Sequence, residues 1–195
     1  MRIGVLSLQG DFEAHGRTLA RLGATTVYVR TAAQLAGVEG LVIPGGESTT
    51  MLKLLEEEKL FDPVVEFSAN KPLFGTCAGT ILMATEVSRP QQRSMNLLDI
   101  SVERNAYGRQ LDSSIRRLEL SEEFLRRTAP GEFQGVFIRA PIIRRVGDQV
   151  RVLAREGADP VLIEQGRHLA ATFHPELTDD DRIHSLYLDK VRSSA

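Results

Sequence analysis

Short apolar runs alternate with segments of helical period through the first half of the chain. Residues 2–8, Arg-Ile-Gly-Val-Leu-Ser-Leu, read as a buried strand broken by Gln9-Gly10-Asp11. Phe12 to Leu22 carries helical spacing and stops at Gly23. Thr25 to Val29 predicts a second strand, and Thr31 stands where it can cap a short helix reaching Leu35. Leu41-Val42-Ile43 is a third strand, ended by Pro44-Gly45-Gly46. Glu47 to Leu60 then predicts a helix with Met51, Leu52, Leu54 and Leu55 on one face, and Pro63 to Ala69 a shorter one. Leu73-Phe74 ends a fourth strand, after which a helix opens at Cys77. Strands alternating with helices across short loops argue for a parallel sheet covered on both faces. Sites in such sheets lie at the carboxyl ends of the strands, where the Gly45-Gly46 and Cys77 turns both fall.

Beyond about residue 98 the texture changes. Ile100 to Glu103, Ser114 to Leu120, Phe133 to Arg139, Ile142 to Val146, Val150 to Arg155, Val161 to Gln165 and His168 to Phe173 read as strands with short turns. Only Ser121 to Arg127 and Asp179 to Val191 look helical. The second half is therefore expected to add a more antiparallel layer and one closing helix. No linker separates the halves, and 195 residues suit one domain over 1–195. A net charge of −2 and a pI of about 6.1 point away from nucleic acid or a polybasic membrane contact. One cysteine forms no internal disulfide and builds no zinc site by itself. With a strand starting beside Met1, no room is left for a signal peptide, so a reducing, cytoplasmic setting is expected.

That cysteine sits in Leu73-Phe74-Gly75-Thr76-Cys77-Ala78-Gly79. An apolar strand, a turn of small residues and a helix make a nucleophile elbow, with a thiol in place of the hydrolase serine. The turn sets the side chain over the first N–H groups of the helix, which favour a thiolate and can hold a developing oxyanion. A buried structural cysteine is the plainer alternative. A nucleophile needs a base, and the candidates are His15, His168, His174 and His184. His15 and His184 fall inside predicted helices, and His168 starts a strand. His174 follows the strand end Leu169-Ala170-Ala171-Thr172-Phe173 and is locked by Pro175, with Glu176 two residues on. In an extended His-Pro-Glu segment both polar side chains share a side, so Glu176 is placed to orient His174 as a third group.

Pro44-Gly45-Gly46-Glu47-Ser48-Thr49-Thr50 is open to two uses. Its glycines admit close approach of a ligand at a helix start that favours anions. It is also an ordinary strand-to-helix turn with a Ser/Thr cap, and the phosphate-loop pattern is absent. Arg104 and Arg139 end predicted strands and suit a substrate carboxylate. Arg116, Arg117, Arg126, Arg127, Arg144 and Arg145 read as structural ion pairs or a solvated face.

Gly-Thr-Cys-Ala-Gly followed by Phe-His-Pro-Glu-Leu resembles the class I, triad-type glutamine amidotransferases. Leu8-Gln9-Gly10, Pro44 to Thr50, Val102 to Gln110, Gly135 to Pro141 and Thr172 to Leu177 are similar to the glutaminase subunits of pyridoxal 5′-phosphate synthase. The resemblance implies a three-layer, flavodoxin-like α/β fold: a central, mostly parallel sheet, helices on both faces and a small antiparallel extension. It implies Cys77, His174 and Glu176 as catalytic residues and the Gly46 and Ala78 N–H groups as oxyanion hole. Gly46, Glu47, Ser48, Arg104, Ile138 and Arg139 would bind L-glutamine. No cofactor or metal is implied. The partner would be the synthase of such a pair, (β/α)₈ barrels in a double hexameric ring that receive ammonia and make pyridoxal 5′-phosphate. Other thiol hydrolases of γ-glutamyl or peptide substrates, a glutaminase for another acceptor, and a docking protein with a vestigial triad are the rival readings.

Overall fold

The structure, a computed structural model, describes residues 1–104 and 113–194. In chain order its elements are β1 (Arg2–Leu6), α1 (Phe12–Arg21), β2 (Thr25–Val29), α2 (Ala32–Ala36), β3 (Gly40–Ile43), α3 (Ser48–Glu57), α4 (Phe61–Ser68), β4 (Leu73–Thr76), α5 (Ala78–Met83) and β5 (Ala84–Ser88). There follow β6 (Leu98–Glu103), β7 (Ser113–Arg117), β8 (Glu119–Leu120), α6 (Glu122–Arg127), β9 (Gln134–Ile138), β10 (Ile142–Val146), β11 (Arg151–Glu156), β12 (Asp159–Gln165), β13 (His168–Ala171) and α7 (Arg182–Ser193).

The main sheet runs β2-β1-β3-β4-β13-β12-β11-β8. From β2 to β13 neighbouring strands are parallel, and β12, β11 and β8 continue antiparallel. Because strand side chains alternate between faces, each central strand feeds two cores. Leu6, Leu41, Ile43, Leu73 and Ala170 face Leu35, Met51, Leu55, Val64 and Leu82 of α2 to α5. Ile3, Val5, Val42, Phe74, Leu169 and Ala171 face Leu19, Phe124, Ile183, Tyr187 and Val191 of α1, α6 and α7. Those two cores make the helix–sheet–helix sandwich that the resemblance implied. A three-stranded sheet, β10-β6-β5, and a two-stranded one, β7-β9, flank it.

Most expected elements are present with shifted ends. The sequence pattern predicts no element over Ala84–Ser88, yet this segment pairs in parallel with β6. The helix expected over 47–60 is α3, which starts at Ser48 and closes at Glu57. The expected extended His-Pro-Glu segment is instead a turn of 3₁₀ helix over Pro175–Leu177. Of the segment 102–110, Asn105 to Gln110 lies outside the described residues.

Strand order decides what meets at the carboxyl edge. β3, β4 and β13 are consecutive neighbours, so Gly45-Gly46, Cys77 and His174 emerge side by side. β1 lies on the far side of β3 and brings Gln9-Gly10 to the same edge.

Candidate active site

Cys77 occupies the sharp turn between β4 and α5. Its φ of 46° and ψ of −101° put a non-glycine residue in a costly backbone region, the kind of strain that clusters at working sites. The surroundings hold it there. Cys77 N–H donates to the Ala171 carbonyl at 2.8 Å, extending the β4–β13 pairing by one residue. Thr80 Oγ1 donates to the same carbonyl at 2.6 Å. A side chain at Gly79 would overlap the Ile43 carbonyl, so only glycine lets α5 start this close to β3.

Glycine at 45 serves the same end. A Cβ there would overlap the His174 ring and lie 3.3 Å from Cys77 Cβ, so thiol and imidazole flank one point. His174 is set by its backbone N–H, which donates to the Val136 carbonyl of β9 at 2.8 Å. Its Nδ1 lies 2.8 Å from Glu176 Oε1. That pairing does not come from strand periodicity: the 3₁₀ turn folds residue 176 back toward residue 174. Burial disfavours charge on His174, but hydrogen bonds to Cys77 and Glu176 outweigh it and hold the imidazole well above its ordinary value. For Glu176, burial is outweighed by the nearby His15 and by the His174 hydrogen bond, leaving the carboxyl well below the usual range. All three side chains are nearly buried.

A cavity of roughly 200 Å³ opens over the thiol, lined by Gly45, Gly46, Glu47, Ser48, Cys77, Arg104, Ile138, Arg139 and His174, together with Gly10, Asp11, Ile81 and Pro141. Every site residue named from sequence is on this wall except Glu176 and Ala78, which lie behind His174 and Cys77. Gly10, with φ of +86°, packs so closely on Gly45 that a Cβ would overlap the Gly45 carbonyl. That carbonyl faces Gly10, so the Gly46 N–H of the same trans peptide points the opposite way. The Gln9 amide, oriented by its hydrogen bonding, donates to the Glu47 carbonyl at 3.1 Å and accepts from the Glu47 N–H at 2.9 Å.

Glu47, rather than a Ser or Thr, caps α3. Its carboxylate accepts from Thr49 N at 3.0 Å, and from Thr50 N and Oγ1 at 2.7 and 2.8 Å. Burial opposes this charge, yet those bonds hold the carboxyl below its ordinary value. Arg104 leans on the same cap, donating to Thr49 Oγ1 at 2.8 Å and to Glu47 at 3.4 Å. Arg139 also adopts positive φ, 45°, at the rim. The six arginines read as structural do pair: Arg116 with Glu156, Arg117 with Glu132, Arg126 with Glu122, Arg127 with Glu164, Arg144 with Glu103 and Arg145 with Asp99. Asp11 carries no sequence signal for the site, and Gly10 only its place in Leu8-Gln9-Gly10; His15 and His184, weighed above as bases, lie behind Glu176 instead.

The profile described as "SNO glutamine amidotransferase family" matches residues 5–193. A protein of Solibacter usitatus named pyridoxal 5′-phosphate synthase subunit PdxT is 65% identical over 97% of this chain and 99% of its own length. The PdxT of Koribacter versatilis is 53% identical over 99% and 97%. A crystal structure of a glutamine amidotransferase superposes with a TM-score of 0.88 at 47% identity, covering 97% of this chain and 98% of that one. A glutamine amidotransferase of Thermotoga maritima, 16% identical with a TM-score of 0.59 over 99% of this chain and 84% of that one, shares the fold. Matched from the first strand to the last helix, the chain belongs to the SNO glutamine amidotransferase family.

Proposed function

We propose that this chain, acting as one amidotransferase domain over residues 1–195, is the glutaminase subunit of a pyridoxal 5′-phosphate synthase. It hydrolyses L-glutamine to L-glutamate and ammonia. The Cys77 thiolate attacks the side-chain amide carbon, and the oxyanion that forms is held by the N–H groups of Gly46 and Ala78. The His174 imidazolium gives its proton to the departing ammonia, leaving a glutamyl thioester on Cys77. His174 then takes a proton from water, which attacks the thioester and releases glutamate. Glu176 keeps Nδ1 protonated and stabilises the charged ring, as the third member of a triad does. Arg104 and Arg139 meet the α-carboxylate, and Gly46, Glu47, Ser48 and the Ile138 backbone complete the glutamine site.

Ammonia passes to a partner synthase, a (β/α)₈ barrel in a double hexameric ring, which builds pyridoxal 5′-phosphate from ribose 5-phosphate and glyceraldehyde 3-phosphate. The chain itself carries no cofactor or metal and works in the cytoplasm. Among the described residues no helix is long and apolar enough to cross a membrane.

The observation that carries this reading is the meeting of an elbow thiol and a carboxylate-backed imidazole at one cavity. Its test is to mix the chain with its candidate synthase and glutamine and follow ammonia and pyridoxal phosphate together. Ammonia without pyridoxal phosphate would assign another acceptor, and turnover of γ-glutamyl peptides in place of glutamine would assign another hydrolase. The Gln9-Gly10 contact with the Gly45–Gly46 peptide is also a place where docking can complete the oxyanion hole. Ammonia release should then rise on docking, and equal rates with and without the partner would end that idea.

A further inference from the structure

Behind the triad lies a second, wholly buried set of polar groups. Glu176 Oε1 is taken by His174, while its other oxygen, Oε2, is buried with no aligned hydrogen bond. His15 Nε2 lies 3.3 Å from Oε2, with neither side chain reached by solvent. His15 Nε2 also lies 3.2 Å from Thr76 Oγ1, the residue before Cys77. On the opposite side of the ring, His15 Nδ1 is 2.9 Å from His184 Nε2 of α7. His184 Nδ1 has no partner. The Phe74 ring stands nearly perpendicular to both imidazoles, with ring centroids 6.1 and 5.6 Å away.

One arrangement of protons suits this chain of atoms better than the other. If His184 Nε2 donates to His15 Nδ1, then His15 Nε2 carries the hydrogen, which lies between Thr76 Oγ1 and the Glu176 carboxylate. The sole group left over is an unprotonated Nδ1 on His184, whose lone pair costs less to bury than an N–H. The opposite tautomers would aim a bare His15 nitrogen at a carboxylate oxygen and bury an unpaired His184 N–H. Burial keeps both rings neutral: it pushes His15 below its ordinary value and His184 down to about 3. The charged or titratable groups acting on this pair are Glu176 and His174 from the turn after β13, Asp11 at the start of α1, and Arg21 through its effect on His184.

We propose that His15 is a positioning residue for the reaction: as the neutral Nε2–H tautomer, set by a hydrogen bond from His184, it holds the second oxygen of Glu176 and so aims the first at His174. The proposal rests on the triad reading above. It explains why Glu176 stays ionised with no permanent cation beside it. It also ties the elbow, through Thr76, to the same N–H that steadies the carboxylate.

Glutamine is the only group whose amide nitrogen can stand where His15 Nε2 stands, so His15→Gln keeps the donor and His15→Met, similar in shape, removes it. In the complex with the synthase, His15→Met should lower kcat by about tenfold, the low end for a hydrogen bond to a charged group because the N–H is shared with Thr76, with KM for glutamine unchanged. Its alkaline limb should move to lower pH, because a less firmly ionised Glu176 supports the His174 imidazolium less well. His15→Gln should restore most of the rate and return the limb. Nitrogen NMR of the imidazoles in the unmutated chain should find His15 protonated at Nε2 alone, and this reads the proposal even where a variant does not fold. Protonation at Nδ1 overturns it. So does a His15→Met enzyme with the parent rate and pH profile, or Met and Gln variants equally slowed with no shift of the limb. Cys77→Ala separates the two levels: ammonia release that survives it sinks the triad reading, while the tautomer result stands by itself.

Discussion

Among the described residues, the carboxylates of Glu164 and Glu176 have no contact with water, and they keep different company. Glu164, on β12, has its side chain fully buried against permanent cations: Lys190 at 2.7 Å, Arg127 at 2.8 Å and Arg151 at 3.2 Å. Burial raises its carboxyl, but those partners outweigh it and the group stays below its ordinary value. Glu176 is equally buried, yet among the described residues the side chains that face it are histidines. Lysine and arginine hold their charge throughout the working pH range, so Glu164 is neutralised once and for all. A histidine gains and loses its proton, so the charge balance around Glu176 can change during a reaction. The first arrangement fastens α6, α7, β11 and β12 together. The second leaves a carboxylate free to answer a proton arriving on His174.

The sharpest way to break this contrast is to neutralise each carboxylate in turn. Glu176→Gln keeps the shape but presents the wrong group to His174 Nδ1, and glutamine hydrolysis should fall by about 10⁴-fold, as for the corresponding change in other triads. Its melting temperature should change far less than that of Glu164→Gln. There, Lys190 loses its carboxylate while Arg127 and Arg151 keep only Glu123, and the expected loss of stability is about 3–5 kcal/mol with kcat unaltered in the protein that remains folded. Ammonia assays and denaturant titrations on both variants decide it. If both lose activity and stability in parallel, the two clusters do not differ in kind.

Glu176 also marks how far the sequence could be read. Its neighbour in the chain, His174, and the elbow at Cys77 were legible because both follow apolar strands that end in a sharp turn, and the strand–helix alternation put those ends on one edge. The pairing of Glu176 with His174 was legible; the turn that folds it back and its meeting with His15 were not. Helical spacing places His15 and His184 on buried faces, but spacing along one helix does not say which residue of another helix it will meet. Ala84–Ser88 was missed for a related reason: with Thr85 and Glu86 exposed and only Ala84 and Val87 buried, its pattern has no clear period of two. Glu47 went unrecognised as a cap because Ser48 and Thr49, at the next two positions, are the more usual cap residues.

A packing change at the cavity comes next in size. Gly45→Ala puts a methyl group where the His174 ring stands. Displacing a reacting group by about 1 Å costs about 10²-fold, so kcat should drop by that order. Glu164 and its cations should be undisturbed, and resistance to denaturant should change less than in Glu164→Gln. A Gly45→Ala enzyme of full activity would show that the imidazole has room to work elsewhere, and would weaken the case for a fixed Cys77–His174 pair.

Acid separates the two clusters more gently. Burial lowers His168 from 6.5 to about 4 and His184 to about 3. The unfolded chain therefore binds more protons than the folded one as pH falls below 6.5, and stability should decline from that point. The carboxylates, whose folded values are depressed, add their loss only below the ordinary 4.5. His168→Gln should flatten the slope between about pH 6.5 and 4 by one proton while leaving the steeper fall below it. Melting temperatures across pH test this, and an unchanged slope would remove His168 from the account.

The smallest effect is expected where the ion pair is open to water. Arg117 and Glu132 approach to 3.0 Å, closer than Arg151 and Glu164, but both side chains are more than half exposed. Distance alone would rank this pair as the stronger. In water, however, the attraction is damped, salt screens it, and two long side chains must be ordered to make it. Removing either partner leaves a group that water resolvates at once. A double-mutant cycle on Arg117 and Glu132 should give a coupling of about 1 kcal/mol at most, fading with added salt. The same cycle on Lys190 and Glu164 should give a larger coupling that salt hardly alters, because neither charge can recover its water. Equal couplings would mean that burial is not what distinguishes Glu164 from the surface pairs, and the contrast with Glu176 would have to rest on the identity of its neighbours alone.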